Sequence, residues 1–214
     1  MDRKDIWIDF GFSGLTKWFG SLFECTPLEI VVAAADWGEG GYAPTLREDA
    51  VRLLESPLPT RVIDILWCAA VRSKFVPDER WMDGRDWLRQ IVDVCEERIR
   101  RDEPRFDPLP PPPFCDVELT DAVLAEVRAI ASELERTTAD HPYYGVPEVV
   151  PSLERVVTEV DPDLGFRLFL RVLKAYTVYI SESQHVRYRE LGERFGYNEF
   201  VVDDGTLQLM PRAT

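Results

Sequence analysis

The chain has few residues able to carry acid–base, phosphate or metal chemistry. Only two histidines and four lysines occur among its 214 residues. No G-x-x-x-x-G-K run exists to cradle a phosphate, so any phosphate pocket would have to rely on arginine. The four cysteines, at 25, 68, 95 and 115, form no C-x-x-C pair and have no histidine nearby. Disulfide and zinc frameworks therefore lack their usual spacing, and buried reduced thiols are expected. A di-iron bundle needs two E-x-x-H motifs, but only Glu182-Ser183-Gln184-His185 is present, and no glutamate stands three residues before His141. Gly11-Phe12-Ser13-Gly14 approaches a nucleophile elbow, but Leu15 occupies the last glycine position and no strand–helix alternation surrounds it. Ser13 is expected to cap a helix instead. No apolar run reaches the ~18 residues of a membrane span. The opening Met1-Asp2-Arg3-Lys4-Asp5 leads into an apolar run broken at Asp9, unlike a signal peptide. These observations lead us to expect a soluble cytoplasmic protein with no membrane partner, no cofactor, no metal and no catalytic residues.

Acid is abundant. The formal net charge is −14 and the sequence pI is near 4.6. Residues 1–103 hold 14 Lys and Arg against 20 Asp and Glu, and residues 104–214 hold 11 against 19, so the acidity is spread along the chain. Such a body repels phosphate backbones, which makes nucleic acid an unfavourable partner and a basic protein a favoured one. Acidity also serves solubility without any partner. Six tryptophans, seven tyrosines and eleven phenylalanines argue for a packed core rather than disorder.

The periodicity predicts an all-α protein, a multi-helix bundle of about eight helices. Ile6 to Phe10 alternates weakly like a short strand, and Leu15, Trp18, Phe19 and Leu22 follow at helical spacing. Thr26-Pro27-Leu28-Glu29 is a capping box that opens a helix to about Trp37. Thr45-Leu46-Arg47-Glu48 reads as a second box, and Ser56-Pro57-Leu58-Pro59 ends its helix. Residues 60–75 are apolar nearly all round, as in a buried core helix. A further helix is predicted over 77–101. Leu109-Pro110-Pro111-Pro112-Pro113-Phe114 is polyproline II, which either separates two subdomains or straps across one body. The resulting division is an N-terminal half (1–103), a linker or strap (104–119) and a C-terminal half (120–214). The second half predicts helices over 120–138, around 149–160, over 162–180 as its core, and over 183–195. A small terminal β-hairpin is expected around Asp204-Gly205.

The loop Asp36-Trp37-Gly38-Glu39-Gly40-Gly41-Tyr42 places two carboxylates and two large aromatics between two helices. Trp37 and Tyr42 are typical interface anchors, and Asp36 and Glu39 could replace phosphate opposite a basic cleft. A second cluster, Asp78, Glu79, Trp81 and Asp83, lies beyond the core helix and is expected to share that surface. Asp203-Asp204 is a third acidic candidate. The alternative is a helical enzyme or small-ligand-binding protein with a pocket near His141, Tyr143 and Tyr144, with His141 as a base held by Asp140. A scaffold recruited through the proline segment is a third reading.

Residues 27–66 also resemble a family. Leu28-Glu29, Asp36-Trp37-Gly38-Glu39, Leu46, Leu53-Leu54, Pro57-Leu58 and Asp64-Ile65-Leu66 follow a pattern similar to helical immunity proteins of bacterial contact-dependent growth inhibition and polymorphic toxin systems. That family tends to follow Pro-Leu with an acidic-Leu-Arg helix start, and the arginine is missing here. The resemblance covers about a fifth of the chain. It implies a small cytoplasmic protein that neutralises one cognate toxin domain, often a nuclease. The acidity fits, because a nuclease active site is a basic groove.

Overall fold

The computed structural model describes residues 6, 8–20, 25–72, 83–111 and 116–211. The protein is all-α. Its helices, among the described residues, are α1 (Gly11–Trp18), α2 (Pro27–Asp36), α3 (Ala43–Glu55), α4 (Thr60–Val71), α5 (Gly84–Asp102), α6 (Val117–Ala129), α7 (Ala131–Ala139), α8 (Val149–Glu159), α9 (Pro162–Tyr176), α10 (Glu182–Arg194) and α11 (Glu199–Val202). Two short strands, β1 (Tyr179–Ile180) and β2 (Gln208–Leu209), pair in parallel with Tyr179 opposite Gln208.

Local chemistry explains the clearest helix starts. Thr26 accepts from the Glu29 amide at 3.3 Å while Glu29 returns to the Thr26 amide at 2.7 Å, so α2 opens on a reciprocal capping box. Asp161 caps α9 through the Asp163 and Leu164 amides, with Pro162 in the first turn where its missing N–H costs nothing. Other starts differ from the sequence pattern. The α3 helix begins at Ala43, because Pro44 is tolerated in a first turn, and the Thr45 hydroxyl donates to the Tyr42 carbonyl instead of capping. Similarly, α1 begins at Gly11, and Ser13 donates to the Phe10 carbonyl from inside the helix. The helix expected from 120 begins earlier, at Val117, because Asp116 caps α6 by accepting from the Leu119 amide. The helix expected over 120–138 breaks at Ile130, whose φ of −120° and ψ of 9° separate α6 from α7. Its buried side chain holds that break in the core.

Two strand expectations are corrected. In a strand residues 6, 8 and 10 would share one face, but Ile6 and Phe10 are buried while Ile8 is exposed and Asp9 is buried, and none of the described residues 6 and 8–10 is in a strand. At the other end, the expected hairpin is a helix followed by a strand. Asn198 accepts from the Phe200 amide and starts α11, and the Asp204-Gly205 turn leads to β2, which pairs with β1. The left-handed Thr177 (φ 57°) ends α9 early and releases Tyr179 and Ile180 for that pairing.

Buried side chains from residues 1–103 and 120–214 belong to one continuous hydrophobic cluster. In its middle, α4 packs on α8 and α9, and α1 also touches α9. Nearly every residue of α9 is buried, including Arg167 and Lys174. Arg167 forms two hydrogen bonds to Asp49 at 2.6 and 2.8 Å and two to Asp163 at 2.7 and 3.1 Å. This ionic knot joins α9 to α3 inside the core. The described part of the proline segment lies against the N-terminal half. Arg47 donates to the Leu109 carbonyl at 3.1 Å, and its guanidinium sits 5.3 Å from the Phe106 ring centre.

Candidate partner-binding surface

The loop between α2 and α3 is a compact turn. Gly38, Glu39 and Gly40 occupy successive positive-φ positions at 60°, 57° and 87°. Backbone bonds close it, from Gly40 N to Asp36 O, Gly41 N to Gly38 O, Tyr42 N to Trp37 O and Ala43 N to Gly40 O. Arg98, on α5, clamps it from the side. Its Nε donates to Asp36 Oδ1 at 2.5 Å, and Nη1 donates to Asp102 Oδ2 at 2.7 Å. Gly40 lies so close beneath the guanidinium that a Cβ there would sit 2.3 Å from Arg98 Cζ. A β-carbon there would push the guanidinium aside at the point where the clamp crosses the loop.

The loop residues divide sharply in exposure. Trp37 is 54% exposed and meets Trp18 edge-on at 5.3 Å between ring centres. Glu39 and Asp36 face solvent. Tyr42, expected as a surface anchor, is only 3% exposed. Its hydroxyl donates to the Gly11 carbonyl at 3.1 Å, and burial pushes its pKa well up, with the Asp9 and Asp49 charges adding to the rise. Tyr42 anchors the loop to α1 and does not offer itself to a partner. Its burial reflects the early start of α3, which turns residue 42 inward.

Of the second cluster only Asp83 is described, and it does not join this surface. Asp78, Glu79 and Trp81 lie outside the described residues. Asp83 caps α5 by accepting from the Asp86 amide at 2.9 Å. It stands 15 residues before Arg98 on the same helix, or about 22 Å away at 1.5 Å per residue. The two ends of α5 are different surfaces. Asp203 and Asp204 are elsewhere again. Asp203 pairs with His185 Nε2 at 2.9 Å. Asp204 meets Lys17 and Lys174.

The three residues of the alternative pocket are neighbours in one turn. His141 Nδ1 accepts from the Tyr144 amide at 3.1 Å and faces the Tyr143 amide at 3.4 Å. Its ring packs 5.4 Å from Tyr144 and 5.5 Å from Tyr176, and the Arg72 guanidinium lies over Tyr144. The Tyr176 hydroxyl ties the loop down through the Tyr144 carbonyl. His141 organises a turn. Tyr143 is exposed beside it. A nearby groove of about 400 Å³ is lined by Arg61, Asp64, Ile65, Cys68, Gly145, Val146 and Pro147, and none of the three proposed pocket residues lines it. The Cys68 thiol in that groove is pushed up to about 11 by burial, and more weakly by Asp64, which leaves it a poor nucleophile.

Among the described residues, no cluster of three or more His, Cys, Asp or Glu is placed to hold a metal ion. Within them, no helix is long and apolar enough to cross a membrane. No family model, curated protein or solved structure matches the chain.

Sequence reading missed Arg98 and Trp18, the two residues that fix the loop. Arg98 looked like one arginine of a solvated helix end, and Trp18 fell on a plain helical period. No local signal tied either to residue 37. The apolar residues on the outer side of α2 were also missed, although Leu28 and Val32 stand four positions apart, which puts them on one helix face.

Proposed function

We propose that this chain is an acidic, non-enzymatic binding protein that neutralises a basic, nuclease-like toxin domain by covering its active site. The observation that carries the reading is Trp37. A large aromatic stands more than half exposed on a loop held by backbone bonds and the Arg98 clamp, next to the solvent-facing Glu39. A rigid, exposed tryptophan loses little conformational freedom on binding and gives a large contact area, which is how interface hot spots behave. The net charge of −14 favours fast association with a basic surface. The resemblance of residues 27–66 to immunity proteins points the same way, and what it implies is a bacterial cytoplasmic protein.

The test is to search beside this gene for one encoding a basic toxin domain and to co-express the two. Cells producing both should grow, and the two proteins should co-purify in a complex that weakens with salt. An absence of any neighbouring toxin gene, or continued killing in the presence of this chain, overturns the reading.

A further inference from the structure

The surface that accepts the partner is larger than the loop, and its chemistry specifies what the partner presents. The buried side of α2 holds Ile30, Val31, Ala34 and Ala35, which face the body. Its outer side carries Leu28 and Val32, which are 44% and 45% exposed, and the exposed C-cap residue Trp37 stands on the other flank of that side, about 140° round the axis from Val32. At 1.5 Å per residue, Leu28 to Trp37 spans about 14 Å, or two and a half helical turns. Among the described residues Leu28 and Val32 stay close to half exposed and Trp37 is covered on one edge by Trp18, so this apolar area adds little to the core.

The stretch of sequence that carries this stripe is charged with one sign only. From Trp18 to Leu46 the chain contains Glu24, Glu29, Asp36 and Glu39 and no lysine, arginine or histidine. Glu29 and Asp36 stand on the exposed side of α2 with Leu28 and Val32, and Glu39 follows on the loop. The cation found there, Arg98, is spent on Asp36 and Asp102. A second copy of this chain is a poor occupant. Two such faces would bring Glu29 and Glu39 of one copy toward those of the other, in a protein already at −14.

We infer that the outer face of α2, from Leu28 to Trp37, is a docking strip for an amphipathic segment of a basic protein, with apolar side chains on Leu28, Val32 and Trp37 and flanking lysines or arginines opposite Glu29 and Glu39. This extends the proposed inhibitor function, and its test separates the two. Leu28→Asp/Val32→Asp removes the strip at exposed positions, and Val186→Asp, at an exposed apolar position on α10, serves as the control.

The experiment is calorimetric titration of the full chain and both variants with an 18-residue leucine/lysine amphipathic peptide and its leucine/glutamate counterpart, and then with the toxin domain. Thermal unfolding first establishes that all three proteins are folded. Wild type and Val186→Asp should bind the lysine peptide at least tenfold more tightly than the double variant, and the glutamate peptide should not bind. Equal affinity of all three chains for the lysine peptide overturns the strip. So does a wild-type homodimer, seen by sedimentation, that the double variant loses. If the toxin domain binds wild type and the double variant equally, the inhibitor function stands and the strip falls. If the toxin domain does not bind wild type while the peptide result holds, the strip stands and the inhibitor function falls.

Discussion

Arg98 and Asp36, 62 positions apart in sequence, meet through a 2.5 Å hydrogen bond that fixes the exposed loop to α5. The same guanidinium reaches Asp102 one turn further along its own helix. The loop that holds Trp37 is therefore positioned by a helix outside its own hairpin of α2 and α3. Geometry of this kind preorganises a contact before any partner arrives.

Gly40→Ala tests the clamp. Gly40 has φ of 87°, and its missing Cβ leaves the space that Arg98 fills. Alanine pays roughly 1–2 kcal/mol for the left-handed backbone and also displaces the guanidinium. Gly38→Ala, at φ of 60° with nothing within 4 Å, bears only the backbone cost. Urea denaturation should therefore rank Gly40→Ala as the more destabilised. Equal midpoints for the two variants would show that Arg98 does not press on the loop.

Arg167 tests how the two ends of the chain are joined. Its guanidinium is buried with Asp49 and Asp163, and Asp163 also accepts from the Tyr197 hydroxyl at 2.6 Å. Burial works against its charge, but the two carboxylates outweigh that and hold its pKa well above the usual arginine value. Arg167→Met leaves both carboxylates in the core without their cation, at a cost of about 3–5 kcal/mol. The triple variant with Asp49→Asn and Asp163→Asn should recover part of that loss, because amides are far cheaper to bury than unpaired carboxylates. Denaturant midpoints of the two variants decide it, and a single variant as stable as wild type would remove the knot from the account.

Much of the helical architecture was legible because caps and periods are local. Thr26-Pro27-Leu28-Glu29 announces α2, and the apolar run after Thr60 announces α4, whatever the rest of the chain does. The C-terminal segment was not legible. Phe200-Val201-Val202 has strand propensity, and only its neighbours α10 and α9 turn it into one turn of helix. Burial within the loop was equally hidden. Trp37 and Tyr42 read alike as aromatics beside glycines, and the Tyr42 hydroxyl finds its acceptor at Gly11, 31 residues away. Arg167 and Lys174 have their partners, Asp49, Asp9 and Asp204 among them, in segments far apart in the chain, so sequence spacing could not reveal that these charges are buried.

Asp204 predicts a pH dependence. Burial would raise its pKa, but Lys174, Lys17 and the Thr206 hydroxyl more than offset that and hold it well below the usual carboxylate range. A depressed folded pKa means the stabilisation is fully present above the ordinary carboxylate value near 4 and is lost as pH falls through the folded value. Asp204→Asn should cost about 1–3 kcal/mol at pH 7, as expected for charge-assisted bonds. The gap between variant and wild type should then shrink steadily below pH 4. A gap unchanged at pH 2 would show that the charge of Asp204 is not what holds the 203–210 segment against α1 and α9.

Trp37→Ala gives the sharpest test of the proposed function, because its two readouts should move apart. In the free protein Trp37 is mostly solvent-exposed and loses only the edge contact with Trp18, worth about 0.5–1.5 kcal/mol, so the unfolding midpoint should shift little. In the complex the same ring should be a buried anchor, and its removal should weaken binding to the toxin domain by at least about 2 kcal/mol, roughly thirtyfold. Glu39→Lys should act differently, slowing association at low salt with a smaller effect on dissociation, because an exposed rim charge steers encounter more than it holds the complex. Stopped-flow association at low and high salt, with dissociation measured separately, distinguishes the two. A Trp37→Ala protein that binds as tightly as wild type would place the interface on another face. An Asp36 substitution is the weaker probe, since it releases Arg98 and moves the loop, confusing a lost contact with a lost scaffold.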